Sequence, residues 1–234
     1  MIVNIYNIHS AINNVKILTF LRSGVKIIMF INLLKNPLDL IFLLVALVIA
    51  ITFHELAHAL TAVFLGDITP KLEGRVSLNP LKHLDPVGSL FLLIAGFGWG
   101  KPVPFNPNFV KHGRWGVALI GASGPLTNIL VAFIFILALK TGSVPFIFAE
   151  LFIVIIFINI LLAVFNLLPI PPLDGSKILQ AVLPESKQEV VLRIEREGPI
   201  ILLILIFADS ILGLGILSSI INPIFNFVLK ILSS

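Results

Sequence analysis

Residues 51 to 58 read Ile-Thr-Phe-His-Glu-Leu-Ala-His, inside the apolar run from Leu38 to Leu65. His54, Glu55 and His58 make H-E-x-x-H, the zinc-hydrolase signature, on what should be a helix. Imidazoles four residues apart share one helical face and can grip one metal ion. Glu55 is then placed to hold and deprotonate a water at that metal. Besides Glu55, the run from Leu38 to Leu65 carries a single charge, Asp39. The expected metal site therefore lies within a bilayer.

Composition supports that address. Apolar residues make up 58% of the 234, charged residues 12%, and the mean hydropathy is +1.09. A chain with so few charges could not clothe itself in water, and an all-α polytopic membrane protein is expected. There is no cysteine, so any zinc must be held by His, Asp or Glu. The net charge of +4 and pI near 9.5 read as basic loops kept on the cytoplasmic side of a membrane. No nucleic-acid partner is expected.

Working outward, Ile17 to Leu34 is apolar but interrupted by Arg22, Ser23, Gly24 and Lys26, which suits an interfacial amphipathic helix better than a span. No small-residue cleavage site precedes the next span, and Met29 opens directly onto it. Residues 1 to 35 are read as an N-terminal extension without a catalytic role, and residues 36 to 234 as one membrane-embedded domain. Asp39 to Leu65 would cross as a helix of roughly 40 Å, stopped by Gly66. In Ile68 to Leu78, Lys71, Glu73 and Arg75 alternate with Leu72 and Val76 around Gly74, which suggests a short β-hairpin, or else a plain polar loop. Pro86 to Trp99 is too short for a comfortable span and suits a re-entrant segment. Gly100 to Pro107 carries three prolines and cannot be helical. Gly113 to Lys140 and Val144 to Leu168 are further spans. Pro199 to Leu217, with Asp209 inside it, is expected to be another, and Ser218 to Ser234 a weak additional pass. Four to six transmembrane helices are therefore expected.

Hydrolytic zinc takes three protein ligands and keeps one position for water. Beyond the two histidines of the motif the candidates are His9, His83, His112 and the acids, of which Asp174 is the best placed. It follows a span, behind Pro169, Pro171 and Pro172. The rival reading makes Asp174-Gly175 only a cap for a short helix over Ser176 to Leu183.

His54-Glu55-x-x-His58, Ser123-Gly124-Pro125 with Asn128, and Asn166-x-x-Pro169-x-Pro171-x-x-Asp174-Gly175 together resemble the site-2 protease family of intramembrane zinc metalloproteases. Gly74-Arg75 to Asn79-Pro80, Asp85-Pro86 and Lys101-Pro102-Val103-Pro104 resemble its small branch, which lacks PDZ and CBS domains. The resemblance runs from about Leu38 to Leu217. It implies one Zn2+ per chain held by His54, His58 and Asp174, with Glu55 as general base. It also implies a role near the substrate or oxyanion for Asn166, where an interhelical hydrogen bond is the plainer alternative. Ser123 and Asn128 are read as packing and polar glue.

Such a metal site sets a topology. The His pair lies toward the Gly66 end of its span and Asp174 just past Leu168, so both ends share one face. Residues 66 to 112 must then leave and return on that face, with Pro86 to Trp99 re-entrant. The face carries ten of the sixteen basic residues, which orients the site toward the cytoplasm of a plasma-membrane protein. A crossing by Pro86 to Trp99 would place 11 of the 16 inside, so charge slightly favours the other parity and the metal geometry decides. The expected activity is hydrolysis of peptide bonds within or beside transmembrane segments of protein substrates. A silent membrane scaffold and a metal transporter are the rival readings; neither needs Glu55.

Overall fold

The computed structural model of the chain describes residues 36–88, 99–142 and 144–233. The interfacial helix expected within residues 1 to 35, and most of Pro86 to Trp99, lie outside them. Helix α1 is Pro37–Phe64. Its start is written in Asn36, which accepts from the Leu38 amide at 3.3 Å and donates to Asp39 at 2.8 Å, with proline in the first turn. That is a side-chain cap in front of a residue whose missing N–H costs nothing there. Gly66, at φ 106°, ends it. Helix α2 is the single turn Thr69–Leu72, α3 Gly113–Lys140, α4 Phe146–Asn166, α5 Asp174–Val182, α6 Gln188–Leu212 and α7 Ile216–Ser233.

The hairpin expected over Ile68 to Leu78 is not there, and among the described residues there is no strand, only an isolated antiparallel bridge between Leu84 and Gly100. Asp67 decides the matter. Its Oδ1 accepts from both the amide and the hydroxyl of Thr69, which starts a helical turn over Thr69–Leu72 in place of an extended strand. Gly74, at φ 67°, then turns the chain away.

Among the described residues, three helices are long and apolar enough to cross a membrane, Pro37–Phe64, Gly113–Lys140 and Ile147–Asn166. Four to six were expected over the whole chain. Among the described residues the difference arises after Pro199. Helix α6 stops at Leu212, where Gly213 takes a left-handed conformation, so its apolar part is too short to span. Asp209 accepts from the Ile216 amide at 2.6 Å and so fastens the start of α7 across this break.

Helix α4 is the centre. Ile153 to Asn159 are all buried, the signature of a helix surrounded by others. Helices α1 and α3 pack on it, and α7 joins through an edge-on pair of Phe157 and Phe225 with ring centroids 4.5 Å apart. The outward faces of α1 and α3 are also apolar, exposing Ile41, Leu44, Phe53, Leu126, Leu130 and Phe133, as suits lipid contact. At the far end of α1, the Lys111 amide donates to the Leu65 carbonyl at 2.8 Å. The chain between them therefore returns to the place it left, and α3 starts beside the end of α1.

Candidate metal centre

Helix geometry places His54 and His58 one turn apart on the buried face of α1, both 5% exposed, with their rings edge-on at 89°. The last six residues of α1 put His58 about 9 Å from its end. After α4 the chain doubles back through Leu167 to Leu173, and Asp174 opens α5. Gly175 makes the reversal possible: a Cβ there would stand 2.2 Å from the Leu167 carbonyl oxygen. The Asp-Gly pair thus joins a functional carboxylate to the one residue able to pack so close. Asp174 begins α5 but makes no side-chain cap on it, so of the two readings left open by sequence, the convergent one fits.

Asp174 Oδ2 lies 3.1 Å from His54 Nε2 and 3.1 Å from His58 Nε2, and the two nitrogens are 3.1 Å apart. The outer nitrogens are already committed. His54 Nδ1 meets Asn128 Oδ1 at 2.6 Å, and His58 Nδ1 meets the Ile120 carbonyl at 2.6 Å, with Ser123 Oγ beside it at 3.3 Å. The Asn128 amide is oriented by its own donations, to the Ala50 carbonyl at 3.0 Å and to Asn159 Oδ1 at 2.8 Å. Its oxygen therefore accepts, both Nδ1 atoms donate, and the neutral rings present bare Nε2 lone pairs to the carboxylate. Three acceptors at this spacing repel unless a cation joins them. Tetrahedral zinc with ligand bonds of about 2.0–2.2 Å separates its ligand atoms by roughly 3.3–3.6 Å, so the triangle needs only slight opening. His54, His58 and Asp174 fit a zinc ion.

The fit extends outward. A Cβ on Gly124 would stand 2.5 Å from His58 Nε2 and 2.7 Å from His54 Cε1, so only glycine lets α3 lie against both rings.

Glu55 has a neighbour of its own. Gly100 lies against it, such that a Cβ at that position would be 3.4 Å from Glu55 Oε1. Gly100 opens the extended segment expected from its prolines, tied down by the Lys101 amide donating to the His83 carbonyl at 2.7 Å and by Arg75 donating to the Lys101 carbonyl. Arg75 is buried; burial holds its guanidinium below its usual value, and the carboxylates of Glu55 and Glu73 counter that only in part. Asn166 donates to the Leu162 carbonyl at 3.0 Å, one turn back along its own helix α4, where the plainer expectation had been an interhelical bond. His83, once a candidate ligand, is buried and bonded to the Ser77 carbonyl at 2.7 Å. His112 precedes α3 in a left-handed conformation, and His9 is outside the described residues. Asn128 is more than packing glue, since it orients a ring of the centre. Asn159 and Lys177 were missed altogether; the signal for Asn159 was an asparagine flanked on both sides by apolar residues in a span, and such residues seek partners.

The family model "Peptidase family M50" matches residues 139–206. The chain is 38% identical over 211 residues, 86% of its length and 95% of the relative's, to "Putative zinc metalloprotease YwhC" of Bacillus subtilis (strain 168). It is 29% identical over 174 residues to "Putative zinc metalloprotease Rip2" of Mycobacterium tuberculosis (strain ATCC 25618 / H37Rv), covering 70% of this chain and 66% of that one. "Zinc metalloprotease MJ0392" of Methanocaldococcus jannaschii is 23% identical over 160 residues, 68% of this chain and 40% of that one. No solved structure matches.

Proposed function

This chain belongs to peptidase family M50 and is a zinc metalloprotease, and from that premise we propose that it cleaves peptide bonds within or beside transmembrane segments of membrane-protein substrates. The observation that carries this reading is the triangle of His54 Nε2, His58 Nε2 and Asp174 Oδ2, with both histidines on a helix long and apolar enough to span a bilayer. His54, His58 and Asp174 are the proposed zinc ligands. Bound there, one Zn2+ per chain would supply Lewis acidity, polarising a carbonyl and lowering the pKa of a water.

The remaining steps belong to the protein. Glu55 takes a proton onto its carboxylate and later delivers it to the leaving amine. The Gly100 segment limits the space around that carboxylate, and the packed helices keep bulk water from the ligand face. Asn166 is proposed to meet the substrate backbone: its amide has a second donor hydrogen beyond the one given to Leu162. A substrate helix must unwind locally, because helical hydrogen bonds shield its carbonyls. Glu55→Gln should lower cleavage of a membrane-embedded model substrate by about 10²–10⁴-fold while the protein retains its zinc. Undiminished cleavage would sink the mechanism.

The bilayer is the proposed setting, with residues 36 onward as one embedded domain and the site toward the cytoplasmic side of the plasma membrane. The Leu84–Gly100 bridge and the Lys111–Leu65 bond hold described residues from either side of residues 89–98 near the end of α1. Because the chain has no cysteine, single replacements report orientation cleanly. A cysteine at Lys111 should resist a membrane-impermeant thiol reagent in intact cells and one at Lys140 should react; the reverse pattern would invert the topology.

A further inference from the structure

Asp174 divides its two oxygens. Oδ2 faces both imidazole nitrogens at 3.1 Å, whereas Oδ1 accepts from Lys177 Nζ at 2.8 Å. A lysine three residues along a helix from an aspartate is usually a surface pair of small effect, but here the carboxylate side chain is only 7% exposed. The lysine also lies in a place shaped for it. A Cβ on Gly121 would stand 3.0 Å from Lys177 Cβ and 3.1 Å from its Cδ, so the stem runs along α3 where there is only glycine. The ammonium lies 5.8 Å from the centre of the Phe105 ring, within cation–π range. One helix, the Phe105 segment and the carboxylate thus all constrain the same side chain.

We propose that Lys177 is a positioning residue that reserves Oδ1, so that Asp174 offers the metal one oxygen and the site keeps a position free for water. The proposal rests on His54, His58 and Asp174 being the zinc ligands. Carboxylates bind zinc through one oxygen or two. A second oxygen from Asp174 would fill the coordination position that a hydrolytic site leaves open. Groups behind a ligand set its orientation and are part of such sites. A lysine suits this task, as a compact charge on a flexible stem.

Cobalt(II) takes the same ligands and its visible absorption reports coordination number. The purified full chain should bind one cobalt with the intense bands of a four-coordinate ion, and Asp174→Ala should not bind it. Lys177→Met should still bind one cobalt but with bands weakened severalfold, as Asp174 adds its second oxygen, and Lys177→Arg should restore the wild-type spectrum. A Lys177→Met spectrum identical to wild type would overturn the proposal and leave the ligand set intact. Undiminished cobalt binding by Asp174→Ala would instead overturn the ligand set. The wild-type protein provides a check free of folding effects. Its metal-loaded minus metal-free infrared spectrum should show the wide splitting of carboxylate stretches that one-oxygen binding gives; a narrow splitting would refute the role of Lys177.

Discussion

Asp67 and Asp174 are both buried aspartates just beyond the ends of membrane-length helices, yet their surroundings are opposites. Asp67 is closed by neutral donors. Thr69 gives it an amide and a hydroxyl, and the Asn106 amide meets its other oxygen at 2.6 Å. It staples the turn after α1 to the segment before α3, and nothing further is needed to balance it. Asp174 faces two imidazole nitrogens whose partner nitrogens have already donated to Asn128 and Ile120. Its outer oxygen is neutralised and its inner one faces lone pairs. A structural polar cluster consumes its own donors, whereas a metal centre spends its donors outward and leaves acceptors to converge. That contrast separates scaffold from site without reference to any relative.

The contrast can be broken by exchange of effects. Asp174→Ala should remove zinc entirely, from one ion per chain to none by elemental analysis, and with it all proteolysis. Retained zinc would show that the triangle is not the site. Asn128→Ala removes the oxygen that orients His54, and loss of such a partner should weaken zinc binding about 10–100-fold, read by chelator competition. An unchanged affinity would return Asn128 to the status of packing glue. Asp67→Asn should leave zinc binding alone and lower stability by about 1–3 kcal/mol, the cost of disturbing a buried hydrogen-bonded group, seen as a lower Tm in detergent. Its pH dependence sharpens the distinction. Burial pushes the Asp67 carboxyl up, but the bonds from Thr69 and Asn106 hold it below its ordinary value. A group depressed in the folded state stabilises above its unfolded pKa, about 3.9, and loses that contribution as pH falls through the folded value. The Tm difference between wild type and Asp67→Asn should therefore be full at pH 7, begin to shrink below about pH 4 and vanish once the pH is below the folded value. A difference that persisted there would mean that Asp67 acts by shape rather than charge.

Local rules made much of this legible. The proline and asparagine at the start of α1, the glycine at its end and the i, i+4 spacing of His54 and His58 are read from neighbours in sequence, because a helix repeats every 3.6 residues. Where the reading failed, one side chain outvoted a pattern. The alternation from Lys71 to Val76 suggested strands until Asp67, lying before it, capped a helical turn. The apolar run after Pro199 suggested a span, but Gly213 broke the helix and Asp209 tied the pieces together. Asn166 carries a motif position, yet its observed bond is to its own helix.

The sequence by itself determined the class, the candidate metal-binding pair and the segment that carries the proposed third ligand, since composition and short-range spacing fall within a single chain segment. Only the tertiary structure decided which residues stand behind the ligands. Asn128 is 74 positions from His54 and Ile120 is 62 from His58, while Gly121 and Lys177 meet across two helices. Those distances depend on how α1, α3 and α5 cross. The crossing depends in turn on Gly121, Gly124 and Gly175, where no side chain intervenes and backbones come within reach of the metal's ligands. H-E-x-x-H names the chemistry, and close packing at those glycines aims it.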